Sequence, residues 1–495
     1  MSAVGSILTN TGALDALQGI SASNASNNTL ESELSSGMSI NSPASNPAGY
    51  ITAQGFTSQL NGITQAISNA NEGVSLMQTA QGALSQQIGI VQSLNSISVQ
   101  AANGTQTPEE SQSLQSVASQ LVQQVDTIAK TTQFNNINLL DGSFQGVQIQ
   151  DGANEGQNLN LTIGNTQANN LGMNASTVGS IYNAATLNAS SASAALTTGA
   201  AGAANGAFSV TTPKVTWTGA NGNTGSTTLT GQSESAATIA AAVNATTGNT
   251  GVQAQATTQI TLNTNNGGSG FAFTLQSSAG SGTKASTAQT INAANVTQLV
   301  SQINGNTGVS GITATLGNNN QITLTQANGE NIAITNYTST SGSLTTTGTS
   351  HQAIKAGSAS AVIQGQVQFQ SSAGFSLGNG ANIGLSSNST LTSLDDIDVT
   401  TTSGANTAIN VVKFALDALN KQGGQLGATQ QALTANIANL NTTSQNVTTA
   451  LGTVQDANIP QVSQQLTEAQ IQAQAGVAAL KASTQIQQSY TSLLP

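Results

Sequence analysis

The chain has 495 residues, more than one ordinary domain needs, and only 5% of them are charged. Seven lysines and no arginine stand against eighteen acidic residues, so the clustered cations that bind nucleic acid are missing. The absence of cysteine excludes disulfides and thiolate metal sites. Because no run of about 18 apolar residues occurs, we expect no membrane insertion, and residues 1–11 lack the pattern of a secretory signal peptide.

Residues 1–36 predict a helix that is too weak to fold alone. Its apolar stripe contains Val4, Ile7 and Leu14, and it then becomes polar over residues 21–28. Serine and asparagine dominate that second part and are poor helix formers. We therefore expect that packing against a partner orders this segment.

A long second helix is predicted over residues 47–102, after a connector at residues 37–46. Gly37 suits the C-cap of the first helix, and Pro47 suits the first turn of the second. The second helix carries apolar residues spaced alternately three and four apart, with Gln81 as the polar exception: Leu60, Ile63, Ile67, Ala70, Val74, Met77, Leu84, Ile88 and Val91. This spacing is typical of a coiled-coil seam. Each apolar side chain left in water forgoes roughly 1.5–3 kcal/mol, so the seam needs a partner.

A matching seam lies near the other end of the chain. With Ser444 as its polar exception, it consists of Leu433, Ile437, Leu440, Val447, Leu451 and Val454. We expect the two seams to pack together. In the helix that carries the second seam, Gly423-Gly424 predicts an irregularity, and Pro460 ends or kinks it. The last segment, residues 457–495, predicts another helix, whose candidate packing residues are Leu466, Ile471, Val477 and Leu480.

Between the first seam and the middle of the chain, local patterns predict a helix and a hairpin. Thr107-Pro108-Glu109-Glu110 has the cap residue, the first-turn proline and the first-turn acids of a helix start. Farther on, Asp141-Gly142 is flanked by apolar residues and predicts the turn of a β hairpin.

Residues from about 175 to 395 are rich in Gly, Ala, Ser, Thr and Asn and contain an internal repeat. The matching segments are Val243-Asn244 with Ile303-Asn304, Thr247-Gly248 with Thr307-Gly308, and Gln259-Ile260-Thr261-Leu262 with Gln321-Ile322-Thr323-Leu324. Each copy predicts a short helix, a turn and two or three strands. Two copies are too few for a solenoid, so we expect a pair of small α+β modules.

These elements predict an α + β multidomain chain, with long paired α-helical coiled-coil rods from both termini, a β hairpin, and small β-rich or α+β outer domains in the centre. The predicted domains are an N-terminal helix (1–36), a connector (37–46), rod helices with the hairpin (47–175), outer domains (176–395, with repeats at about 232–275 and 292–336), a second rod helix (396–456) and a C-terminal helix (457–495).

Residues with catalytic or metal-binding chemistry are scarce. His351 is the single histidine, which excludes a His-Glu-x-x-His zinc site. Asp395, Asp396 and Asp398 lack the glycine and the closing glutamate of an EF-hand loop, so we interpret them as acids flanking a strand. We predict no enzyme activity, no metal and no cofactor.

Several motifs resemble those of bacterial flagellins. They are Leu34-Ser-Ser-Gly-Met-Ser-Ile-Asn41, Leu60-Asn-Gly-Ile63, Thr132-Gln-Phe-Asn135, Ile437-Ala-Asn-Leu440 and Gln470-Ile471 with Ala473-Gln-Ala-Gly476. The resemblance covers roughly residues 1–172 and 392–495, and the two repeats resemble the small flagellin IN modules of such proteins.

This resemblance implies a secreted, extracellular subunit that polymerises with itself into the flagellar filament for swimming motility. It implies export in an unfolded state through the flagellar type III apparatus and assembly at the filament tip. An export chaperone, a cap protein and hook-junction proteins are the implied partners. Residues 2–34 would pair with 460–494 as an inner tube, surrounded by the seam helices.

Two other interpretations stay open from the sequence. A hook–filament junction protein would share the terminal helices, although the hairpin and the last segment match flagellin better. A secreted adhesin would act through residues 176–395, but aromatic residues make up only 3% of the chain, which argues against a platform that stacks on sugars.

Overall fold

The computed structural model describes residues 10–180, 214–228, 235–264, 269–278, 285–341, 344–346, 353–354, 360–380 and 385–491. Val4, Ile7 and His351 lie outside the described residues. The chain divides into a first unit, made of Met1–Gln78, Gln145–Thr162 and Leu426–Pro495, and a second unit, made of Thr79–Phe144 and Ile163–Gln425.

The described residues contain both long helices and many short strands. The helices are α1 (Thr11–Ser36), α2 (Pro47–Ala101), α3 (Pro108–Thr131), α4 (Ala236–Asn244), α5 (Thr247–Thr250), α6 (Val296–Gly305), α7 (Thr307–Ser310), α8 (Thr402–Gln455) and α9 (Ile459–Thr491). The strands are β1 (Gln133–Phe134), β2 (Ile137–Asn138), β3 (Val147–Gln150), β4 (Asn158–Leu161), β5 (Gly172–Ala175), β6 (Gly179–Ser180), β7 (Lys214–Thr218), β8 (Thr224–Thr228), β9 (Gln253–Thr264), β10 (Ser269–Ser278), β11 (Gln289–Ala293), β12 (Ile312–Leu316), β13 (Gln321–Gln326), β14 (Asn331–Ser341), β15 (Leu344–Thr346), β16 (Ala353–Ile354), β17 (Ser360–Ile363), β18 (Gln366–Ser371), β19 (Ser376–Gly378) and β20 (Thr390–Ser393). The predicted α + β class with long terminal helices is confirmed.

In the first unit, α1 and α9 run antiparallel along each other. Asn10, the N-cap of α1, donates from Nδ2 to the Ser483 carbonyl oxygen at 3.3 Å, near the end of α9. At its other end α1 stops at Gly37, whose φ of 71° lets the backbone turn in the left-handed region as the sequence predicts. The chain then bonds back to the junction of α8 and α9, where Ala457 donates its N–H to the Gly37 carbonyl at 2.9 Å.

In the second unit, α3 begins with the cap that the sequence predicts. The Thr107 hydroxyl accepts from the Glu110 N–H at 3.2 Å, and the Glu110 carboxylate accepts from the Thr107 N–H at 2.8 Å. Together these two bonds form a capping box that satisfies two free backbone donors at the helix start.

The hairpin turn predicted at Asp141-Gly142 is wrong. Strands β1 and β2 pair directly across Asn135 and Asn136, which both have positive φ angles, 48° and 61°. Asparagine tolerates this left-handed region, and two such residues make the tight turn that a two-residue hairpin needs. In the first unit, β3 pairs with β4 instead, with Val147 opposite Leu161.

The irregularity predicted at Gly423-Gly424 is also wrong, because α8 runs unbroken from Thr402 to Gln455. A glycine inside a helix costs about 1 kcal/mol relative to alanine. The packed residues on both sides supply more than that, so the helix continues across both glycines.

Two sheets of the second unit are built jointly by the two repeats. One has the order β11-β10-β14-β17, and the other begins β12-β13-β9-β18-β5-β20. The recurring segments Gln259–Leu262 and Gln321–Leu324 lie in β9 and β13, which pair antiparallel with each other. One hydrophobic cluster therefore contains residues of both repeats, including Ile260, Leu262, Ile322 and Leu324.

The two repeats differ in the link between their matching strand segments, where the second copy has two more residues. Gly317 to Asn320 separate β12 from β13, and Asn319 and Asn320 have the positive φ angles of a turn. Only Thr257 and Thr258 stand at this place in the first copy, so β9 continues straight. Its first half pairs with β18 instead.

Candidate functional site

The first unit packs the two predicted seams against each other. Ile63 of α2 and Leu440 of α8 are 2% and 9% exposed and form a cluster with Ala66. Ile67 and Val447 lie half-buried at the edge of this cluster. The contact joins residues that are far apart in sequence, as two complementary seams would.

Small residues make up much of the buried face of α2. One row of buried positions alternates by three and four residues; it consists of Ile63, Ala66, Ala70, Gly73 and Met77 in the first unit, and Ala80, Leu84, Gln87, Val91, Leu94, Ser98 and Ala101 in the second. Ala53 and Leu76 are buried outside this row. Leu60, Ile67, Val74 and Ile88, which the sequence places in the seam, are half-buried beside this row. The apolar spacing predicts Ala70 but does not predict Ala66, Gly73, Ala80 or Ala101.

Gly73 shows why small residues lie on this face. A Cβ at Gly73 would come within 2.6 Å of Ile149 Cδ1 and 3.2 Å of Leu433 Cδ1. Leu433 is fully buried and belongs to the second seam. Of the other residues in that seam, Ile437, Val447, Leu451 and Val454 are half-buried.

Two asparagines of the seam helices hold the β3–β4 hairpin in the first unit. Asn69 donates from Nδ2 to the Gln150 carbonyl oxygen at 3.0 Å. Asn436 donates in the same way to the Asp151 carbonyl oxygen at 2.7 Å. These bonds join helix to hairpin without charge, and no pattern in the sequence indicates them.

The second unit buries a polar residue, Gln87, in the seam face of α2. Its side chain is fully buried, and Nε2 donates to the carbonyl oxygens of Val125 and Thr166 at 3.0 and 3.3 Å. Burial of an amide costs free energy unless its hydrogen bonds are made. These bonds tie α2 to α3 and to the segment after the hairpin.

On the terminal helices, many small side chains face the partner helix and several large apolar side chains face away from it. The half-buried positions of α1 recur every three or four residues: Ala13, Ala16, Ile20, Ser23, Asn27, Leu30 and Glu33. On α9 the corresponding buried or half-buried positions are Val462, Leu466, Ala469, Ala473, Gly476, Leu480, Ser483 and Gln487. The two helices pack closely at Gly476, because a Cβ there would lie 2.8 Å from Ile20 Cγ1 and 3.9 Å from the Ile20 backbone nitrogen.

Several large apolar residues of these two helices remain in water. Leu14 and Leu17 of α1 are 59% and 51% exposed, and α9 exposes Ile471, Val477 and Ile486 by 60%, 43% and 57%. No residue of α1 is fully buried. The pair α1–α9 therefore has a second apolar face that no described part of this chain covers.

Charge contributes little to these contacts. The described residues contain two ion pairs, Lys130–Asp126 and Lys421–Asp417, each between positions four apart on a helix. Such pairs are worth about 0.3–0.5 kcal/mol. Among the described residues no group of three or more acidic or histidine side chains is placed to hold a metal ion. Asp396 accepts instead from the Ser393 N–H and hydroxyl, which lowers the pKa of its carboxyl group.

No helix in the described part of the chain combines the length and hydropathy that crossing a bilayer requires. The long terminal helices, the small-residue seams and the uncovered apolar face together define a structural protein of the kind that assembles with copies of itself.

Comparisons with known proteins identify the family. The model of the bacterial flagellin N-terminal helical region matches residues 7–145, and the model of the bacterial flagellin C-terminal helical region matches residues 409–494. The B-type flagellin of Pseudomonas aeruginosa is 29% identical over 98% of this chain and 99% of that protein. The chain therefore belongs to the bacterial flagellins, the extracellular structural subunits of the flagellar filament.

Other relatives match over a smaller part of their length. A flagellin of Xenorhabdus nematophila is 36% identical over 28% of this chain and 45% of that protein, and a flagellin of Escherichia coli is 39% identical over 28% and 26%. Among solved structures, FliC from Burkholderia pseudomallei covers 72% of this chain and 99% of that chain, with 18% identity and a TM-score of 0.30. The hook associated protein-3 of Legionella pneumophila covers 81% and 98%, with 13% identity and a TM-score of 0.36. The likeness of the two repeats to flagellin IN modules stays a prediction.

Proposed function

We propose that this chain builds the filament by covering the exposed apolar faces of α1 and α9 with the same helices of neighbouring copies. The observation that carries the proposal is the exposure of Leu14, Leu17 and Ile471, each more than half in water on a helix that is otherwise weak. Burying such a side chain gains roughly 1.5–3 kcal/mol. Several such side chains per subunit, repeated along a polymer, supply a strong drive to assemble.

The same exposure supports export in an unfolded state. Because α1 has no buried residue and is rich in serine and asparagine, the single subunit gains little by folding this helix. A segment of that kind passes through a narrow export channel as an extended chain and folds when neighbours arrive. A flagellar export chaperone, a cap protein and hook-junction proteins are the partners that this route implies.

The seam of α2 and α8 has a different task in this proposal. Its most buried residues, such as Ile63 and Leu440, are already covered within one subunit. It therefore holds the inner helices in register and presents one outer surface per subunit. The middle of the chain, about residues 175 to 395, is rich in Gly, Ala, Ser, Thr and Asn and faces water in this proposal.

Hydrogen exchange of monomer and polymer tests the proposal. We expect backbone amides of residues 11–36 and 461–491 to exchange rapidly in the monomer and slowly in the sedimented polymer, while those of α2 near Ile63 are slow in both. Equal exchange of α1 in the two samples would contradict the assignment of α1 to the subunit interface.

Two alternatives remain to be separated from the filament subunit. A hook–filament junction protein would not extend filament seeds indefinitely. An adhesin would act through the middle of the chain, which can be removed between Ala175 and Thr390 because these residues face each other in β5 and β20. We expect a chain shortened there by a glycine linker to polymerise, since α1, α2, α8 and α9 are intact.

A further inference from the structure

The strand β12 ends one of the two shared sheets, and its outer edge is occupied by side chains of its own module. Asn304, in the last turn of α6, accepts at Oδ1 from the Ala314 N–H at 2.7 Å and donates from Nδ2 to the Ala314 carbonyl oxygen at 2.9 Å. In an antiparallel ladder, both groups of one residue point to the same neighbour. Ala314 therefore directs them away from β13, and a carboxamide stands where another strand would bind.

Side chains also bond the backbone groups of Ile312, two residues earlier on the same edge. Its N–H donates to the Ser310 hydroxyl at 3.2 Å, and its carbonyl oxygen accepts from the Thr307 hydroxyl at 2.8 Å. The residues Asn304, Thr307 and Ser310 thus occupy four backbone groups in succession along the free edge of β12.

The other shared sheet ends in β11, and α6 occupies its edge as well. Gln302 accepts at Oε1 from the Asn292 N–H at 2.9 Å and donates from Nε2 to the Asn292 carbonyl oxygen at 2.6 Å. One short helix therefore places a carboxamide on the terminal strand of each sheet.

The first repeat has the same arrangement at the matching positions. Asn244 bonds both backbone groups of Ala254, at 2.8 and 3.0 Å. Thr247 donates to the Val252 carbonyl oxygen at 2.9 Å, and the Val252 N–H donates to Thr250 at 3.3 Å. The asparagine and threonine that recur in both copies of the sequence are therefore the residues that bond the strand edge.

In a protein that works as a polymer, open strand edges favour unwanted strand pairing between copies. An unpaired edge is a template for strand addition by another copy, and proteins usually prevent this with lysine, proline or a bulge. The segments Gln289–Ala293 and Ile312–Leu316 contain no charged residue and no proline. Leu316, at the end of β12, is 50% exposed and would favour contact with a second apolar strand.

We propose that Asn304, Gln302, Thr307 and Ser310, here called the edge caps, prevent copies of this chain from joining through β11 and β12. They replace the charges that the chain lacks. In a filament, neighbouring subunits face each other at high effective concentration, where even a weak strand pairing would join outer modules. The edge caps leave assembly to the terminal helices.

The test uses the full chain with Asn304→Ala and Gln302→Ala, singly and together. Ser301→Ala is the matched control, because Ser301 is an exposed residue of α6 that makes none of the bonds described above. Asn304→Asp is a second control, since it loses the donor but places a charge at the edge. All variants are also made with Leu440→Asp, so that the result does not depend on filament formation.

Sedimentation across a concentration series is the first measurement. We expect the double variant to at least double its mean mass, with and without Leu440→Asp, while Ser301→Ala and Asn304→Asp behave as the parent does. A folded double variant that stays monomeric over the whole series overturns the proposal. If the double variant does not fold, as judged by circular dichroism, the single Gln302→Ala variant carries the same test at β11.

Hydrogen exchange gives an independent measurement at the bonded amides. We expect the Ala314 amide to exchange at least tenfold faster in monomeric Asn304→Ala than in the parent, and the Asn292 amide to do so in Gln302→Ala. Unchanged rates at both amides would mean that the caps are not bonded in solution, which also overturns the proposal.

Discussion

Thr261 and Thr323 face each other at the centre of the β9–β13 pair, with their hydroxyl oxygens 3.0 Å apart. They are corresponding residues of the two repeats. The β10–β14 pair is centred in the same way on Thr274 and Thr335, which also correspond. The repeats are therefore related by an approximate two-fold axis, and each supplies one strand to both of these pairs.

The shared sheets predict that the two repeats unfold together. Leu324 lies opposite Ile260 in the strand pair and is 1% exposed, so Leu324→Ala should lower the free energy of unfolding by roughly 2–5 kcal/mol. Trp217, the single tryptophan, lies in a different hydrophobic cluster and reports on the first repeat. We expect its fluorescence transition in urea to move to lower concentration in Leu324→Ala and to stay unchanged in the exposed control Thr315→Ala.

Gly73 and Gly82 of α2 allow a matched comparison, because Gly73 lies on the buried small-residue face and Gly82 is exposed. A leucine at Gly73 has no room beside Ile149 and Leu433, so Gly73→Leu should destabilise by roughly 1–3 kcal/mol. Nothing lies within 4 Å of a Cβ at Gly82, so Gly82→Leu should stabilise the helix by about 0.5–1 kcal/mol. Thermal unfolding by circular dichroism compares them, and equal effects would show that close packing at Gly73 is unimportant.

Gln87→Glu should make stability depend on pH. The new carboxyl group would be buried against the Val125 and Thr166 carbonyl oxygens, so its pKa would rise above the value in the unfolded chain. A carboxyl group whose pKa is raised by folding contributes stability that is present below the unfolded pKa and is lost as pH rises through the folded pKa. We expect Gln87→Glu to lower the free energy of unfolding by about 3 kcal/mol near pH 7 and by less near pH 4. Gln87→Met should lower it by the same amount at both pH values.

Asp395 and Asp396 should give pH effects of opposite sign. Hydrogen bonds from Ser393 lower the pKa of Asp396, so its stabilisation is present above the unfolded pKa of about 4 and is lost as pH falls. Burial, with Asp126 and Asp396 nearby, raises the pKa of Asp395. In urea titrations, Asp396→Ala should lower the free energy of unfolding by about 1 kcal/mol near neutral pH and by less in acid. The stability of Asp395→Ala relative to the parent should increase as pH rises.

Local sequence patterns predicted helix ends better than helix faces. The caps at Thr107 and Gly37 depend on a few neighbouring residues and can be identified from the sequence. The buried row through Ala66, Gly73 and Ala80 could not, because small residues become core residues only when a partner helix comes close. The sequence predicts the hairpin turn at Asp141-Gly142, which is a strong turn pair, but Asn135-Asn136 forms the turn.

The sequence shows the repeat but does not predict how the two copies are arranged. Identical letters such as Gln259–Leu262 and Gln321–Leu324 predict equal structures, yet they do not say that the two copies pair with each other. Nor do they say that Asn244 and Asn304 bond to strand edges. Both features depend on contacts between segments that are distant along the chain.

Electron microscopy of seeded polymerisation tests the central claim most directly. The parent is compared with Leu440→Asp, which places a charge in the buried seam, and with Asn441→Asp, which places the same charge on the exposed side of α8. We predict long uniform filaments from the parent and from Asn441→Asp, and none from Leu440→Asp. Filaments of normal length from Leu440→Asp, or none from an intact parent, would contradict the account.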